Sequence, residues 1–247
     1  MLFREVIVKL PQHQFVIVDG GSVDGTRQFL ADSNQEHLNW ISEPDQGIYD
    51  AMNKGISLAN NDWILFLNVG DSIVNIEVLD KIQSYLEDNF DLVYGDYIVK
   101  HLGFYVHKKA RNSYELWKGM LSSHQSFFYR TELLKKNKFD LKYQIAADYD
   151  QLLRLKNQRC QFKYMPFSIA LIESGGVSDR KLLGSLTEQR KILKTHQGLS
   201  LKNKMYFMKK FMRLLCLKIA RLVIPRKIYF KIVKFIYRKN LISEQEF

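Results

Sequence analysis

Two apolar runs in the first third of the chain each end next to an acidic side chain. Phe15–Val18 is followed by Asp19 and two glycines, and the run that begins at Trp63 leads through Asn-Val-Gly to Asp71. Short β-branched and aromatic runs bounded by glycine indicate buried strands. Because ligands of α/β proteins bind beyond the carboxyl ends of strands, both acids are predicted to lie at a ligand-binding edge. Two such acids favour a site for a nucleoside diphosphate.

Strands and helices alternate along the chain. The periodicity predicts helices over residues 24–32, 48–58, 76–86, 147–157 and 180–196, and strands over residues 15–18, 39–42, 63–67, 91–94, 97–107, 126–129 and 160–171. This alternation predicts an α/β fold with a mainly parallel mixed sheet between helices and right-handed crossovers. Residues 97–107 are a candidate antiparallel strand, and the composition of Glu173–Ser178 indicates a flexible loop.

Composition narrows the class of protein. A chain of 247 residues with 46% hydrophobic content suits one α/β domain with an appendage and excludes a disordered protein. Its two cysteines, Cys160 and Cys216, form neither a disulfide framework nor a metal-type pair, which favours a reducing compartment. The apolar runs are too short or too charged to form a transmembrane helix. Acidic and basic residues interrupt the short apolar stretch at the start of the chain, so no signal peptide is predicted.

The net charge of +11 comes entirely from the C-terminal part. Residues 1–201 contain equal numbers of basic and acidic side chains, whereas thirteen Lys and Arg and only two Glu follow. We therefore expect a catalytic domain over residues 1–198 and a basic amphipathic helical tail over residues 199–247. Cations and bulky apolar residues at helical spacing around Pro225 are typical of helices that lie on an anionic membrane, the partner predicted for residues 202–240.

Two other interpretations of this basic segment exist. Its helices can instead pack on the domain and leave a solvated basic face. Nucleic acid is not a predicted partner, because no recognised binding module accompanies the charge.

The two strand-end motifs each have a structural and a functional interpretation. Asp19 and the glycines after it can receive the base or ribose of a nucleotide while Ser22 or Asp24 caps the next helix, or the segment is a plain strand-turn-helix junction. Asp71 can hold Mg²⁺ or Mn²⁺ together with substrate phosphates, or it caps the helix that begins near Asn75.

His124, Gln125 and Asp148 are the remaining candidates. His124 and Gln125 precede an apolar strand, where they can hydrogen-bond an acceptor sugar or a phosphate, although a lone His is more often structural. Asp148 opens a helix and is a candidate general base, with Asp150 as its structural partner. Capping of the helix dipole fully explains either acid as well.

Six motifs, in this order, resemble those of bacterial family-2 glycosyltransferases. They are VDGGSVDGT, SEPDQGIYDAMNKGI, FLNVGDS, SHQSFF, AADYDQLLRL and a Gly-Gly-Val-Ser loop, and the resemblance covers residues 15–195. The branch that they resemble most includes colanic-acid and other surface-polysaccharide enzymes. The resemblance implies a GT-A fold, a nucleotide-sugar donor, a divalent metal (Mg²⁺ or Mn²⁺) and inversion at the anomeric carbon by direct displacement.

The same resemblance implies roles for individual residues. The donor nucleotide-binding residues are Asp19, Gly21, Ser22, Asp24, Asp45, Asn53 and Lys54. Asp71 is the metal-linked acid, His124 and Gln125 lie on the acceptor side, and Asp148 is the catalytic base. The implied reaction adds a sugar to a surface-polysaccharide or lipid-linked acceptor at the cytoplasmic face of the plasma membrane, where the basic tail attaches peripherally.

Two features depart from the family pattern. Many relatives carry Asp-x-Asp followed by another acid, whereas Asn68 and Gly70 occupy two of these places and only Asp71 remains. Relatives begin with a strand and a polar loop that form one wall of the nucleotide pocket, whereas fourteen residues precede Phe15 and Leu2–Leu10 resembles the helix after that wall. A truncated or mis-started reading frame accounts for this. The alternative function is a catalytically impaired relative that only binds a nucleotide sugar or a partner.

Overall fold

The computed structural model describes residues 10–33, 35–86, 89–174 and 181–246. Its strands are β1 (Phe15–Asp19), β2 (Leu38–Ser42), β3 (Trp63–Leu65), β4 (Ser72–Ile73), β5 (Leu92–His101), β6 (Phe104–Lys108), β7 (Phe127–Arg130), β8 (Phe162–Glu173) and β9 (Leu241–Ile242). Its α-helices are α1 (Thr26–Ala31), α2 (Ile48–Leu58), α3 (Glu77–Gln83), α4 (Thr131–Lys136), α5 (Ala147–Asn157), α6 (Leu182–Gln197), α7 (Leu201–Val223) and α8 (Arg226–Ile236). Short 3-10 turns over Ser113–Lys118 and His124–Ser126 lie between β6 and β7.

β1 and β2 form a two-stranded parallel sheet. Asp19 at the end of β1 pairs with Ser42 at the end of β2, so both strands end at the same edge. α2 packs on this sheet, with Gly55 facing the side chain of Val18. The loops that follow the two strands therefore start from a common edge, as parallel pairing requires.

The larger sheet is mixed and is centred on β5. This strand pairs antiparallel with β7 near its start and with β6 near its end, and it pairs parallel with β8 along the other side. β3 pairs with β7, β4 with β8 and β9 with β6, all antiparallel. Parallel pairing among the described strands is thus confined to β1–β2 and β5–β8, so the prediction of a mainly parallel sheet was wrong, because the period of two does not give strand direction. The α/β class and the mixed sheet between helices are confirmed.

Side chains along β5 alternate between two apolar clusters. Leu92 and Tyr94 belong to the larger cluster, which includes residues of α2, α5 and α6, and Val93 belongs to a smaller one with Val78 and Ile82 of α3. Since successive side chains of a strand point to opposite faces, helices cover both faces of the sheet. Full burial of one such side chain contributes roughly 1.5–3 kcal/mol, so these layers fix where the strand ends lie.

The C-terminal segment predicted as a basic tail is joined to the domain near both of its ends. Phe207 of α7 is 2% exposed and belongs to the larger core, and β9 adds a strand beside β6. An apolar row on α7 and α8 remains exposed: Met205, Met208, Met212, Ile219, Ile228, Ile232 and Phe235. None of the helices in the described part of the chain offers a stretch long and apolar enough to cross a bilayer.

The predicted elements are found with shifted ends. The two strands predicted over residues 91–107 are β5 and β6, joined by a tight turn after His101. β4 and α4 are additional elements of two and six residues, too short to produce a periodic pattern. Of the segments Leu2–Leu10 and Glu173–Ser178, residues 2–9 and 175–178 lie outside the described residues.

Candidate active site

Asp19 is held at the end of β1 by three hydrogen bonds. Its carboxylate accepts from the Ser22 backbone N–H at 2.9 Å, from Ser22 Oγ at 2.5 Å and from Ser42 Oγ at 2.7 Å. The bonds from Ser22 and Ser42 hold the pKa of Asp19 below its usual value, so the carboxylate is ionised. Gly21, with φ 88°, supplies the left-handed backbone of this turn. Asp19 therefore presents a fixed negative charge at the sheet edge.

Asp24 closes the turn that leads into α1. One of its oxygens accepts from the N–H of Thr26 at 3.2 Å and from the Thr26 hydroxyl at 2.6 Å. These bonds lower the pKa of Asp24. Stabilisation of the turn before α1 thus explains the hydrogen bonds of Asp24 within the chain, and a role of Asp24 in nucleotide binding stays a prediction.

Asp45 lies against the turn after β1. A Cβ at Gly20 would stand 2.6 Å from Asp45 Oδ2, so a larger residue there would displace the end of the Asp45 side chain. The other oxygen, Oδ1, accepts from the Gly47 N–H at 2.8 Å just before α2 begins. The loops after β1 and β2 are therefore in contact, and two acids, Asp19 and Asp45, belong to the same edge.

Asn53 and Lys54 of α2, both predicted on the donor side, have partners within the protein. The Asn53 amide pairs with both backbone polar groups of Phe139, at 2.8 and 2.9 Å. Lys54 Nζ donates to the Pro44 carbonyl at 2.8 Å and lies 2.8 Å from Glu43 Oε1. These contacts position α2 and the Asp45 loop, and direct contact with a donor stays a prediction.

Asp71 and Gln125 meet beside β3 and β7. The Asp71 N–H donates to the Asn68 carbonyl at 3.0 Å in the turn after β3, and Gln125 Nε2 donates to Asp71 Oδ2 at 2.5 Å. Gln125 directly precedes β7, so the antiparallel pairing of β3 with β7 brings the two motifs together. No hydrogen bond from a described residue reaches Asp71 Oδ1, which leaves that oxygen for a cation.

His124 connects this edge to Asp148. Its Nε2 lies 2.9 Å from Asn68 Nδ2, and its Nδ1 lies 3.8 Å from Asp148 Oδ2. Burial lowers the pKa of His124 to about 4, so the ring is neutral at neutral pH. A neutral ring that accepts the Asn68 N–H at Nε2 carries its own proton on Nδ1, on the side of Asp148.

Asp148 is a buried carboxyl group with a raised pKa. It lies in the first turn of α5 and is 8% exposed. Its Oδ1 accepts from the Tyr149 N–H at 2.8 Å and from the Tyr49 hydroxyl at 3.1 Å. Removal from water raises the pKa of Asp148 to about 6 in spite of these bonds. Such a group is ionised at neutral pH and is a stronger base than an exposed Asp, as general base catalysis requires.

Glu188 of α6 holds the segment that leads into α5. Its carboxylate accepts from three consecutive backbone N–H groups, those of Gln144, Ile145 and Ala146, at 3.2, 2.9 and 2.7 Å. The negative charge of Glu188 thereby lies at the N-terminus of α5, where the helix dipole favours it. The Ile145 carbonyl also accepts from the Tyr49 hydroxyl at 2.9 Å. Glu188 therefore fixes the start of α5 and, with it, the position of Asp148.

Asp150, predicted as the structural partner of Asp148, faces a different neighbour. Its buried carboxylate lies 2.9 Å from Arg154 Nε and 2.8 Å from His196 Nε2. The contact with His196 ties α5 to α6. Asp150 thus supports the helix that carries Asp148 without touching Asp148 itself.

The structure brings Asp71 and Asp148 into one series of contacts, whereas the contacts of Asp19 and Asp24 stay within the turns after β1 and β2. Asp71, Gln125, His124 and Asp148 form a contact series, and Tyr49 joins Asp148 to α2, which begins at the Asp45 loop. Sequence reasoning missed Tyr49 and Glu188. Tyr49 lies inside the DQGIYDAMN motif, which could have suggested it, whereas Glu188 lies on a polar helix that shows no such signal.

The residues fit a divalent cation only with further ligands from a substrate. Within the described ranges, no group of three or more His, Cys, Asp and Glu side chains could hold a metal ion. Asp71 Oδ1 offers one hard oxygen, and Mg²⁺ commonly binds one or two carboxylates together with substrate phosphates and water. The donor set therefore fits a cation that binds together with a diphosphate.

The sequence matches a known enzyme family over most of its length. The family described as Glycosyl transferase family 2 matches residues 3–150, and the chain belongs to it. A PGL/p-HBAD biosynthesis glycosyltransferase of Mycobacterium tuberculosis is 34% identical over 177 residues, which covers 67% of this chain and 68% of that protein. An uncharacterized glycosyltransferase of the same species is 29% identical over 153 residues, covering 57% of this chain and 56% of that protein.

Solved structures of low sequence identity share the fold. Staphylococcus aureus TarS 1-349 is 17% identical with a TM-score of 0.54, and the match covers 83% of this chain and 65% of that one, slightly less than two thirds. A mannosyltransferase of Pyrobaculum calidifontis in complex with GDP-Man and Mn²⁺ is 12% identical with a TM-score of 0.51, over 90% of this chain and 70% of that one. The expected GT-A-type α/β fold is therefore confirmed.

Proposed function

We propose that this chain transfers a sugar from a nucleotide-sugar donor to a hydroxyl group of a glycan or glycolipid, with Asp148 as the general base. The observation that carries the proposal is the buried Asp148 carboxyl, which contacts His124 and through it the edge at Asp71. Membership of glycosyl transferase family 2 supports the reaction class. TarS, which shares the fold, has been crystallised with UDP-GlcNAc, in line with a nucleotide-sugar donor.

The proposed reaction is a single in-line displacement. The acceptor hydroxyl gives its proton to the Asp148 carboxylate while its oxygen attacks the anomeric carbon. The bond from that carbon to the diphosphate oxygen breaks, the nucleoside diphosphate leaves, and the configuration inverts. Burial makes Asp148 basic enough to take the proton, and hydrogen bonds from the Tyr49 hydroxyl and the Tyr149 N–H hold its carboxylate in place.

The donor is proposed to bind at the edge where β1 and β2 end. Asp19 and Asp45 present carboxylates there, and Gly21, Ser22, Asp24, Asn53 and Lys54 shape the surrounding turns. Asp71 is proposed to hold a divalent cation, which offsets the charge on the diphosphate when it is bound. Gln125 keeps the Asp71 carboxylate oriented by donating to one of its oxygens.

The acceptor is proposed to be lipid-linked. The M. tuberculosis relative is named for PGL/p-HBAD biosynthesis, which favours a glycolipid acceptor, while the colanic-acid branch stays a prediction from the motifs. His124 and Gln125 lie beside Asp148 and Asp71 and so belong to the side from which an acceptor would approach. The exposed apolar row of α7 and α8, with exposed Lys231 and Lys234 beside it, suits attachment to the cytoplasmic face of an anionic membrane.

A turnover assay tests the reaction. Purified protein is incubated with a panel of UDP-, GDP- and dTDP-sugars, Mn²⁺ and a bacterial lipid extract as acceptor, and released nucleoside diphosphate is measured. Asp148→Asn should lower the rate roughly 10²–10⁴-fold, the usual contribution of a general base. Asp32→Asn is the matched control, because Asp32 is an exposed carboxylate at the end of α1 that bonds only Gln28 among the described side chains.

The outcomes separate the proposal from its alternative. Equal turnover by the Asp148 and Asp32 variants would contradict the role of Asp148. Donor binding without turnover by the natural sequence, under every condition of the panel, would favour the catalytically impaired relative.

Charge reversal tests the membrane attachment. Deleting the whole C-terminal segment would remove Phe207 from the core, so substitution of exposed cations is the cleaner experiment. Lys231→Glu with Lys234→Glu should release the protein from vesicles that contain phosphatidylglycerol, since each cation near the surface contributes about 1 kcal/mol. Lys136→Glu, at an exposed position of α4, is the control, and equal sedimentation of the two variants with vesicles would refute the attachment.

A further inference from the structure

Lys210 differs from the other cations of the C-terminal segment in facing the domain. Its neighbours on the same side of α7 are Phe207, which is 2% exposed, and Tyr206 and Leu214, which pack against the larger core. Lys202, Lys204 and Lys209 are exposed, whereas Lys210 is half-buried. A lysine in the inward row of an amphipathic helix replaces an apolar side chain there, so it needs a partner.

A second cation, Arg111, lies against the same turn. Arg111 Nη1 donates to the carbonyls of Lys118 and Met120, at 3.3 Å each, on both sides of Gly119. Lys210 Nζ lies 3.7 Å from the point where a Cβ of Gly119 would stand. The guanidinium and the ammonium groups therefore converge on one short turn between the 3-10 segment and α7.

Neither cation forms an ion pair with an acidic side chain among the described residues. Glu115, the acid of this turn, forms an ion pair with Lys118 and interacts with Arg111 only at longer range. Burial, and then the charge of Arg111, lower the pKa of Lys210 to about 8. Two like charges that are partly removed from water repel each other, so an anion bound between Arg111 and Lys210 would be stabilised.

Two buried polar atoms on the neighbouring helices α5 and α6 also lack partners in the described part of the chain. They are the hydroxyl of Tyr149, whose side chain is fully buried, and Oε1 of Gln189. The Tyr149 hydroxyl interacts electrostatically with Arg111 and Tyr206. Gln189 Oε1 lies 2.7 Å from the position of a Gly119 Cβ. The opposite orientation of the amide would let Ser185 Oγ donate to Oε1 and would turn Nε2 toward the cations.

We propose that Arg111, Lys210, Tyr149 and Gln189 form a binding site for a phosphate group between the Ser113–Lys118 turn and α7. Guanidinium, ammonium, hydroxyl and amide N–H groups are all donors, and phosphate oxygens accept from each of them. The site is separate from the Asp148 group and does not depend on sugar transfer. Its ligand is either a soluble phosphate or the phosphate of a lipid headgroup.

The side chains around the proposed site suit either source of the phosphate group, a soluble phosphate or a lipid headgroup. The Nζ atoms of Lys118 and Lys202 lie 5.4 and 5.0 Å from the centre of the Trp117 ring, which packs edge-on against Tyr206 at 5.3 Å. Lys202 extends the positive charge outward and raises the local concentration of anions, while the charge of Lys118 is offset by Glu115. An indole ring beside cations is also common where a protein meets lipid headgroups.

Thermal unfolding of the full chain tests the site with inorganic phosphate and pyrophosphate as probes, in the absence of nucleotide sugar. At about 100-fold excess over Kd, the ligand should raise Tm by roughly 5–10 °C. Lys210→Met keeps the apolar stem and removes the charge, so it should abolish this rise. Lys209→Met removes one charge from the adjacent exposed position and should retain it.

Vesicles distinguish the two sources. If the ligand is a lipid headgroup, phosphatidylcholine vesicles that contain phosphatidylglycerol should bind Lys210→Met at least tenfold more weakly than Lys209→Met, and soluble phosphate should have no effect. A Tm rise with soluble phosphate that only Lys210→Met loses would instead identify a soluble ligand.

Two results would overturn the site. One is equal behaviour of the two variants with both probes. The other is a loss of stability of Lys210→Met without any anion, including failure to fold, because removal of an unpaired cation should leave the free protein at least as stable. Arg111→Gln should repeat the loss of phosphate binding.

Discussion

Replacement of Asp148 by Asn should make the protein inactive and, at neutral pH, more stable. Asn has nearly the same shape, and its Oδ1 can still accept from the Tyr149 N–H and the Tyr49 hydroxyl. The other amide atom, Nδ2, would face His124 Nδ1 at 3.8 Å, a distance at which no hydrogen bond is lost. What the substitution removes is a negative charge at a site that is 8% exposed. The natural residue is therefore kept at a cost in folding free energy, which is expected of a catalytic group.

The size of the effect follows from the pKa. Burial raises the pKa of Asp148 to about 6, from about 3.9 for an exposed Asp, and a shift of two units corresponds to about 3 kcal/mol. The folded state binds the proton more tightly than the unfolded state. The contribution of protonated Asp148 to stability is therefore fully present below pH 4 and is lost as pH rises through 6. Asp148→Asn should match the natural protein at pH 4 and exceed its unfolding free energy by up to about 3 kcal/mol at pH 8.

Urea unfolding at several pH values measures this difference. The two proteins must be compared at each pH, because His124 has a pKa lowered to about 4 and contributes a pH dependence of opposite sign in the same range. The Asp32→Asn variant should show no difference that grows with pH. A variant at Asp148 that is less stable than the natural protein at pH 8 would refute the assignment of a desolvated, ionised carboxylate.

Three further substitutions test other parts of the site. Glu188→Gln should lower the unfolding free energy by about 1.5–3 kcal/mol in urea titration, because a charged acceptor for three N–H groups becomes neutral; a change below 0.5 kcal/mol would show that these bonds do not hold the start of α5. Gly20→Ala should weaken nucleotide binding in calorimetry and lower the unfolding free energy, because its Cβ would stand 2.6 Å from Asp45 Oδ2. Adding Asp45→Ala in the same chain should restore the unfolding free energy but not the nucleotide binding. Asp71→Asn should remove the dependence of UDP binding on Mn²⁺, and an unchanged dependence would place the cation elsewhere.

Part of the site could be predicted because local patterns encode it. β-branched and aromatic runs before Asp19 and Asp71 mark strand ends, and acids at strand ends belong to the edge of a sheet. The direction of β7 and β9 could not be predicted in this way, because the period of two is the same for parallel and antiparallel strands. β3 and β7 illustrate the consequence, since only their antiparallel pairing brings Gln125 to Asp71.

Other features depend on contacts between distant segments. Glu188 accepts hydrogen bonds from backbone N–H groups more than forty residues earlier in the chain. The sequence does not show which backbone groups a side chain will bind. Lys210 is one of thirteen cations after residue 201, and its inward position becomes visible only when α7 is packed against the turn at Gly119. Sequence patterns thus identify single side chains, whereas pairing and burial require the folded chain.

The pH dependence of kcat/KM for sugar transfer tests the central role of Asp148 most directly. Activity should rise with pH and level off above an apparent pKa of about 6, because only the ionised carboxylate can take the acceptor proton. Asp148→Asn should lose this rise together with the activity. An activity that levels off near pH 4, or one that survives in Asp148→Asn with the same profile, would contradict the assignment of Asp148 as the base.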